Sequence, residues 1–546
     1  MRTPLLVVAM FCTVTLFAQQ ETVITGKLLG FDKKPMVLAH ANLIKTPSAQ
    51  PLAQAKAQSD GSFVLKTKET GLLVVEFTGV NHMALDVPLL IEEPATLELS
   101  VTLATYAYAD EMKEVKIMSD LTNYAYDKAQ AMQRRDDGTF AIDLQTTKDK
   151  VTYQVLGAEK TGRSINGTQS DAFEYDDGGD YRSIVAANNG KVTIVFDPKK
   201  TVRSNAEAKV TFADPSSAVA KIVSIQEEMS KRLPIISTAM NKFVKAGNDW
   251  RKFTYDWSAE QTSILARLKT EKDPLVRQAL LLDYADTKNK FAAKSDAAIG
   301  TQVFKEIPPD SKLWMMPTLP LMKAAWDLCG DDNAFKNYLA KFLEKNPDMT
   351  LRTNMLLNQL MTAKMMNDDK TLNFYYDAAV KFFGDSPTGK MVKQRFSPMT
   401  MVGVGKPVPA FKVKSFEDST KIFSNATFKG KFYMLDFWAT WCGPCVTEME
   451  SLHKTYAKFK SKKFQILSLS LDHNPSDVTT FRAEKWKMPW LHAYVTEDTL
   501  LTSAFEVITI PKPMLINAKG TIVAMDMDLR GEQLEITLAK FLGKPK

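Results

Sequence analysis

Hydrophobic and polar positions change their spacing twice along this chain. From about residue 20 to 105 they alternate or gather in short runs, as at Val23-Ile24, Phe63-Leu65 and Leu72-Phe77, which predicts β-strands. Asp60-Gly61 between two such runs reads as a hairpin turn. Residues 106 to about 203 keep the β style. Asp137-Gly138 before Thr139-Phe140, and Asn188-Asn189-Gly190 before Val192–Phe196, are further hairpin signals of a second small β domain. From about 215 to 395 the apolar residues fall at helical spacing, for example Leu351, Met355, Leu356, Leu360 and Met361. Pro308-Pro309, Pro317 and Pro347 punctuate these helices. Lys341-Phe342 ahead of Pro347 is echoed by Lys381-Phe382 ahead of Pro387, a spacing that suits stacked helical hairpins. Past 399, Gly405-Lys406-Pro407-Val408-Pro409 reads as a stiff linker. The β-run Phe432–Phe437 follows, then a helix, a strand, another helix and two strands: a βαβ unit, a hairpin and a terminal helix.

At 546 residues the chain is too long for one core. The boundaries expected are 1–18 for an export signal, 19–105 and 106–203 for two β domains, 204–398 for a helical domain and 399–546 for an α/β domain. With 45% hydrophobic and 24% charged residues there is no signature of disorder. The net charge of +7 comes from Lys spread along the chain, which argues against a nucleic-acid partner. Arg2, the apolar run Leu5–Phe17 and Phe17-Ala18 before Gln19-Gln20 have the form of a cleaved export signal. That run is shorter than the roughly 20 residues that span a bilayer, and no transmembrane segment is expected elsewhere. A lipid anchor on Cys12 is disfavoured because Ala9-Met10-Phe11 lacks the small side chains such a site prefers.

The chemistry lies in the cysteines. After cleavage Cys329, Cys442 and Cys445 remain, too few and too odd in number for a disulfide-stapled scaffold. Cys329, in an apolar helical stretch, is expected to be a buried, inert thiol. In "LDFWATWCGPC" a strand delivers Cys442 to the first turn of a helix, where free N–H groups and the positive dipole end stabilise a thiolate. Pro444 suits that first turn, Gly443 leaves room for a substrate, and Cys445 is placed to resolve a mixed disulfide. A structural disulfide and a zinc half-site are the plainer alternatives. His40, His82, His453, His473 and His492 form no ligand-spaced cluster, so no metal is expected. Acidic Tyr175–Asp180 could hold calcium, but without an EF-hand pattern it reads as a loop.

Residues 401–546 resemble the thioredoxin superfamily, in particular its exported TlpA/ResA-like branch, through "VGKPVPAF", "KGKFYMLDFWATWCGPC", "LSLD" and "FEVITIPKPMLINAKGTIV". The N-terminal "VITGKLLG…ANLIKT…AQSDGSFVLKT" is similar to the carboxypeptidase-regulatory-like β-sandwich. The expected fold is therefore multidomain: β-sandwich-type domains, a central all-α region and a C-terminal α/β thioredoxin fold. The resemblance implies that Cys442 attacks, Cys445 resolves, and Ile510-Pro511 is a cis-proline loop facing the sulfurs. With Trp441, Gly443 and Pro444 these two residues would contact the substrate. Asp436 matches a buried acid that exchanges a proton with Cys445, though a solvent-facing strand end would explain it too. Thioredoxin commonly has a Lys beside that acid; the matching strand here offers Ser468. Glu448 matches an acid of the ResA-like branch and could equally be a solvated helix charge. Glu450 stands where a helix proline is usual. Leu435 and Ala439 replace the Pro and Thr of a peroxiredoxin, which argues against peroxidase activity.

The expected function is an exported, periplasmic or cell-envelope protein-disulfide reductase, with no cofactor beyond the Cys442–Cys445 pair. Its partners would be exported disulfide-containing proteins and an envelope electron donor. The alternative is an envelope interaction protein whose thioredoxin domain senses redox state or is merely tethered.

Overall fold

A computed structural model describes residues 21–45, 50–289, 296–315, 321–366, 368–397, 402–460, 464–495 and 499–544. The export-signal segment, with Cys12, and Pro317 lie outside the described residues. The chain divides into two compact units, one holding the β-rich N-terminal part to Glu228, the other most of the helical region and everything after Thr318.

In the first unit two four-stranded sheets form a sandwich. One has the order Lys209–Phe212, Thr96–Thr102, Thr22–Leu29, Ser62–Thr67; the other Ala53–Lys56, Ala39–Ile44, Gly71–Gly79, Leu85–Ile91. The alternation read from the sequence sorts the faces: Ile24, Leu28, Phe63 and Leu65 meet Leu73, Val75 and Phe77 in one core, while Val64 points out. Asp60-Gly61 does make a turn, with Gly61 at φ +77°, but the strands it joins belong to different sheets. Asn189-Gly190 behaves likewise, whereas Asp137-Gly138 closes a true antiparallel hairpin between Gln133–Arg134 and Phe140–Gln145. A tight turn dictates a reversal of direction; burial of the strand faces decides whether the two arms pair or split across a sandwich. The second set of sheets, five and three strands, closes over Ile117, Phe140, Val151, Tyr153, Ile194 and Phe196. Strand Lys209–Phe212 then returns to the first sheet beside Thr96–Thr102.

The helical region runs from Ala218–Lys245 to Pro387–Arg395. Consecutive helices pack on each other, Ala297–Glu306 on Leu321–Cys329 and Met349–Met365 on Asp369–Phe383. The two Lys-Phe echoes mark the C-terminal ends of Asp332–Lys345 and Asp369–Phe383. Met355, Leu356 and Leu360 are buried, as the helical spacing requires. Cys329 is half-buried rather than buried, because it is the last residue of its helix before the turn at Gly330; its Sγ is 3.7 Å from Thr301 Oγ1. Asp331 caps the next helix, accepting from the N–H groups of Asn333 and Ala334. Asp331→Ala is expected to lower the stability of this unit by about 1 kcal/mol, measured by urea unfolding. Unchanged stability would mean that solvent satisfies those groups equally well.

The C-terminal part has a five-stranded sheet in the order Leu491–Tyr494, Phe464–Ser470, Phe432–Trp438, Lys512–Ile516, Ile522–Met525. The first three strands are parallel and the last two antiparallel. Helices Gly443–Phe459 and Gly531–Leu542 pack together. Strand Phe432–Trp438 is apolar almost throughout because both its faces are covered. Met434 and Trp438 share a core with Cys445, Met449 and Leu452; Tyr433, Leu435 and Phe437 share another with Leu467 and Met514. This is the thioredoxin-like α/β layout, with Leu491–Tyr494 as an additional parallel edge strand. The segment read as a linker is not free. Gly405 N–H and Val408 N–H donate to Ile522 O and Gly520 O, and Ile522 N–H donates back to Lys406 O, so it covers the outer edge of the sheet.

Candidate active site

Cys442 is the N-cap of helix Gly443–Phe459: its Sγ accepts from Cys445 N–H at 3.2 Å, and its carbonyl accepts from Val446 N–H. Pro444 falls in the first turn, where a missing N–H costs nothing. The two cysteines are joined, S–S 2.03 Å and Cα–Cα 5.2 Å. Both cysteines are buried, Cys442 5% exposed and Cys445 1%. Gly443 has open space where a Cβ would stand, and Trp441, 63% exposed, flanks the entrance. Opposite lies Ile510-Pro511, a cis peptide, with Ile510 O 3.7 Å from Cys442 Sγ.

The turn before Cys442 is held by a residue to which the sequence reading gave no role. Asp472, buried, accepts from Thr440 N–H at 3.0 and 3.1 Å and from Thr440 Oγ1 at 2.6 Å, and its other contact is Ser470 Oγ at 2.7 Å. Only the motif "LSLD" pointed towards it, and its partner lies 32 residues away.

Asp436 lies in the strand interior and not at a solvent-facing end; it is 3% exposed. Burial pushes its carboxyl up to about 6; a hydrogen bond from Ser468 Oγ at 3.2 Å counters this, and the charge of Glu448 adds to it. Ser468 in turn accepts from Trp490 Nε1 at 2.9 Å. A neutral hydroxyl held by an indole thus stands beside the acid, at the position where thioredoxin commonly has a lysine. Asp436, Cys445, Glu448, Pro511 and Arg530 line one crevice of about 10 Å³, roughly the space of a single water. Glu448 is anchored and not a free solvated charge: Oε2 accepts from Gly531 N–H at 2.6 Å and Oε1 from Arg530 Nε at 3.2 Å, tying the two helices together. Glu450, in the position of the usual helix proline, pairs with Lys454 on the surface.

Among the described residues no group of His, Cys, Asp and Glu could hold a metal ion. The acidic loop near Tyr175 satisfies itself, Asp176 Oδ1 accepting from the N–H groups of Gly178 and Asp180. No helix among the described residues is long and apolar enough to cross a membrane.

Residues 404–525 match the AhpC/TSA family model. The thiol-disulfide oxidoreductase ResA of Bacillus cereus is 31% identical over 150 residues, covering 27% of this chain and 82% of that protein. ResA of Geobacillus kaustophilus is 28% identical over 127 residues, 23% of this chain and 71% of that protein. Among solved structures, the thioredoxin domain of a thiol-disulfide oxidoreductase from Bacteroides vulgatus is 29% identical, covering 26% of this chain and 99% of that one, with a TM-score of 0.24. A thiol:disulfide interchange protein from Bacteroides sp. is 30% identical, covering 27% and 95%, with a TM-score of 0.24.

Proposed function

Since the chain belongs, through its C-terminal quarter, to the ResA-type thiol-disulfide oxidoreductases, we propose that it reduces disulfides of exported proteins in the cell envelope. One observation carries the reading: the Cys442 sulfur caps a helix, accepting from the Cys445 N–H, and is bonded to the buried sulfur of Cys445 one turn on. In the reduced enzyme the Cys442 thiolate attacks one sulfur of a substrate disulfide. The new S–S bond joins Cys442 to the substrate, and the other substrate sulfur leaves as a thiolate that takes a proton from solvent. Asp436, ionised, accepts the Cys445 proton directly or through a water in the shared crevice. Cys445 then attacks Cys442, releasing the second substrate thiolate and forming the intramolecular disulfide. Two electrons have passed to the substrate, and an envelope dithiol donor returns them. Both half-reactions run on sulfur and protons alone, so no cofactor is invoked.

Trp441, Gly443, Pro444, Ile510 and Pro511 would form the surface that receives the substrate, since they neighbour Cys442 in the chain or, through Ile510 O, in space. The reducing direction rests on Gly443-Pro444 between the cysteines and Ile510 before Pro511, the choices of thioredoxin, whose potential is about −270 mV. The envelope location rests on Arg2 and the Leu5–Phe17 run. The full chain is expected to reduce insulin with dithiothreitol as donor, and to equilibrate with glutathione at a potential in the thioredoxin range. A potential of about −120 mV would make it an oxidant and overturn the direction. Failure to turn over insulin would favour the tethered interaction protein.

A further inference from the structure

Helix Met349–Met365 of the helical region ends against the loop that carries the cis-proline. Met361, Lys364 and Met365 line one crevice with Ile508, Thr509, Lys512 and Asp526. Lys364 Nζ is 2.8 Å from Glu506 Oε2, with the two side chains only 13% and 17% exposed, and it also donates to Arg395 O at 2.6 Å. Glu506 has φ +49°, and the backbone on either side is tied down: Glu506 N–H donates to Ser503 O, and Val507 N–H to Thr502 O. Lys512, at the other end of the loop, opens the strand paired with Phe437, and its ammonium lies 4.0 Å from Asp526 in nearly complete burial. Two ion pairs, Lys364–Glu506 and Lys512–Asp526, therefore stand at the two ends of this loop, and Lys364, Lys512 and Asp526 line the crevice beside Ile508 and Thr509. One of the four, Lys364, comes from outside the thioredoxin-like part.

We propose that Lys364 is a positioning residue for disulfide exchange: through Glu506 it fixes the loop Val507–Ile510, and so the Ile510 backbone that faces Cys442. The helical region then sets how a polypeptide is held at the redox site. This rests on the protein-disulfide reductase reading. The physical basis is the stiffness of a short loop. It has few rotatable bonds between its anchors, so a displacement at Glu506 reaches Ile510, and errors of about 1 Å in substrate placement cost up to roughly a hundredfold in rate. A substrate with an extended backbone depends on that placement. A small disulfide such as 2-hydroxyethyl disulfide needs only the sulfur.

The test compares Lys364→Met, Lys364→Arg, Glu506→Gln and the charge-swapped pair Lys364→Glu with Glu506→Lys, all in the full chain. Lys364→Met and Glu506→Gln are expected to lower kcat/KM for insulin about tenfold, mostly in KM, with 2-hydroxyethyl disulfide unchanged within about twofold. Lys364→Arg should retain most of the insulin activity, and the swapped pair should recover a large part of it. Equal rates for both substrates in folded Lys364→Met would overturn the proposal, as would a loss of thermal stability without any split between substrates. If Lys364→Met does not fold, the isosteric Glu506→Gln carries the same comparison. A wild-type chain inactive on both substrates would instead defeat the reductase reading itself.

Discussion

Cys442→Ser is expected to abolish disulfide reduction, lowering kcat by at least about a thousandfold, because a serine hydroxyl is neither ionised nor nucleophilic towards sulfur at neutral pH. Cys445 cannot substitute for it, being buried within the first helical turn at 1% exposure. Cys445→Ser should behave differently. Cys442 still attacks, but nothing displaces the captured substrate, so a single mixed disulfide accumulates on each chain. Insulin turnover together with non-reducing electrophoresis separates the two variants. Residual turnover in Cys442→Ser would mean that attack occurs elsewhere. Failure of Cys445→Ser to trap any substrate would mean that the buried sulfur does more than resolve.

Asp436→Asn is expected to stabilise the oxidised protein and slow its chemistry at once. The folded-state carboxyl titrates near 6 against an ordinary value of 3.8, because its burial penalises charge. Below pH 3.8 folded and unfolded chains both hold the proton, so the residue imposes no cost. Between 3.8 and 6 the unfolded chain ionises while the folded one does not, so stability falls as pH rises, and the loss levels off above 6. The difference of about two pH units corresponds to about 3 kcal/mol. Asparagine keeps the shape without the charge, so urea unfolding should show a gain approaching about 3 kcal/mol at pH 7.5 and none at pH 3. Asparagine also cannot take the Cys445 proton. Resolution of the mixed disulfide should slow by about ten- to a hundredfold at pH 7 and lose its dependence on pH around 6. Equal stability of variant and wild type at both pH values would contradict a buried, penalised carboxylate.

What could be read from the sequence was local. The strand-turn-helix around Cys442 announces itself within a dozen residues, and helix capping follows from the positions of Cys442 and Pro444 alone. Ile510-Pro511 and Asp436 needed the family resemblance, since a cis bond and a buried face leave little local trace. Ser468 was noted only as a missing lysine; its hydrogen bonds to Asp436 and Trp490 depend on strand register. Asp472 and Arg530 escaped because their partners lie 32 and 82 residues away. The same limit explains the turns at Asp60-Gly61 and Asn189-Gly190, whose chemistry was legible while the sheet membership of their arms was not. Strand Leu491–Tyr494 was missed because four residues at a sheet edge carry too short a pattern to register.

The return of Lys209–Phe212 to the first sheet has a consequence for how the chain folds as it is synthesised. Its partner Thr96–Thr102 appears early, and all of the second set of β-strands is made before the covering strand arrives. Until then the Thr96–Thr102 edge offers unpaired N–H and C=O groups to any passing extended segment. A fragment ending at residue 105 keeps that edge open permanently and should self-associate, whereas one carried through Phe212 closes it. Expression of the N-terminal part alone therefore depends on where the cut is made.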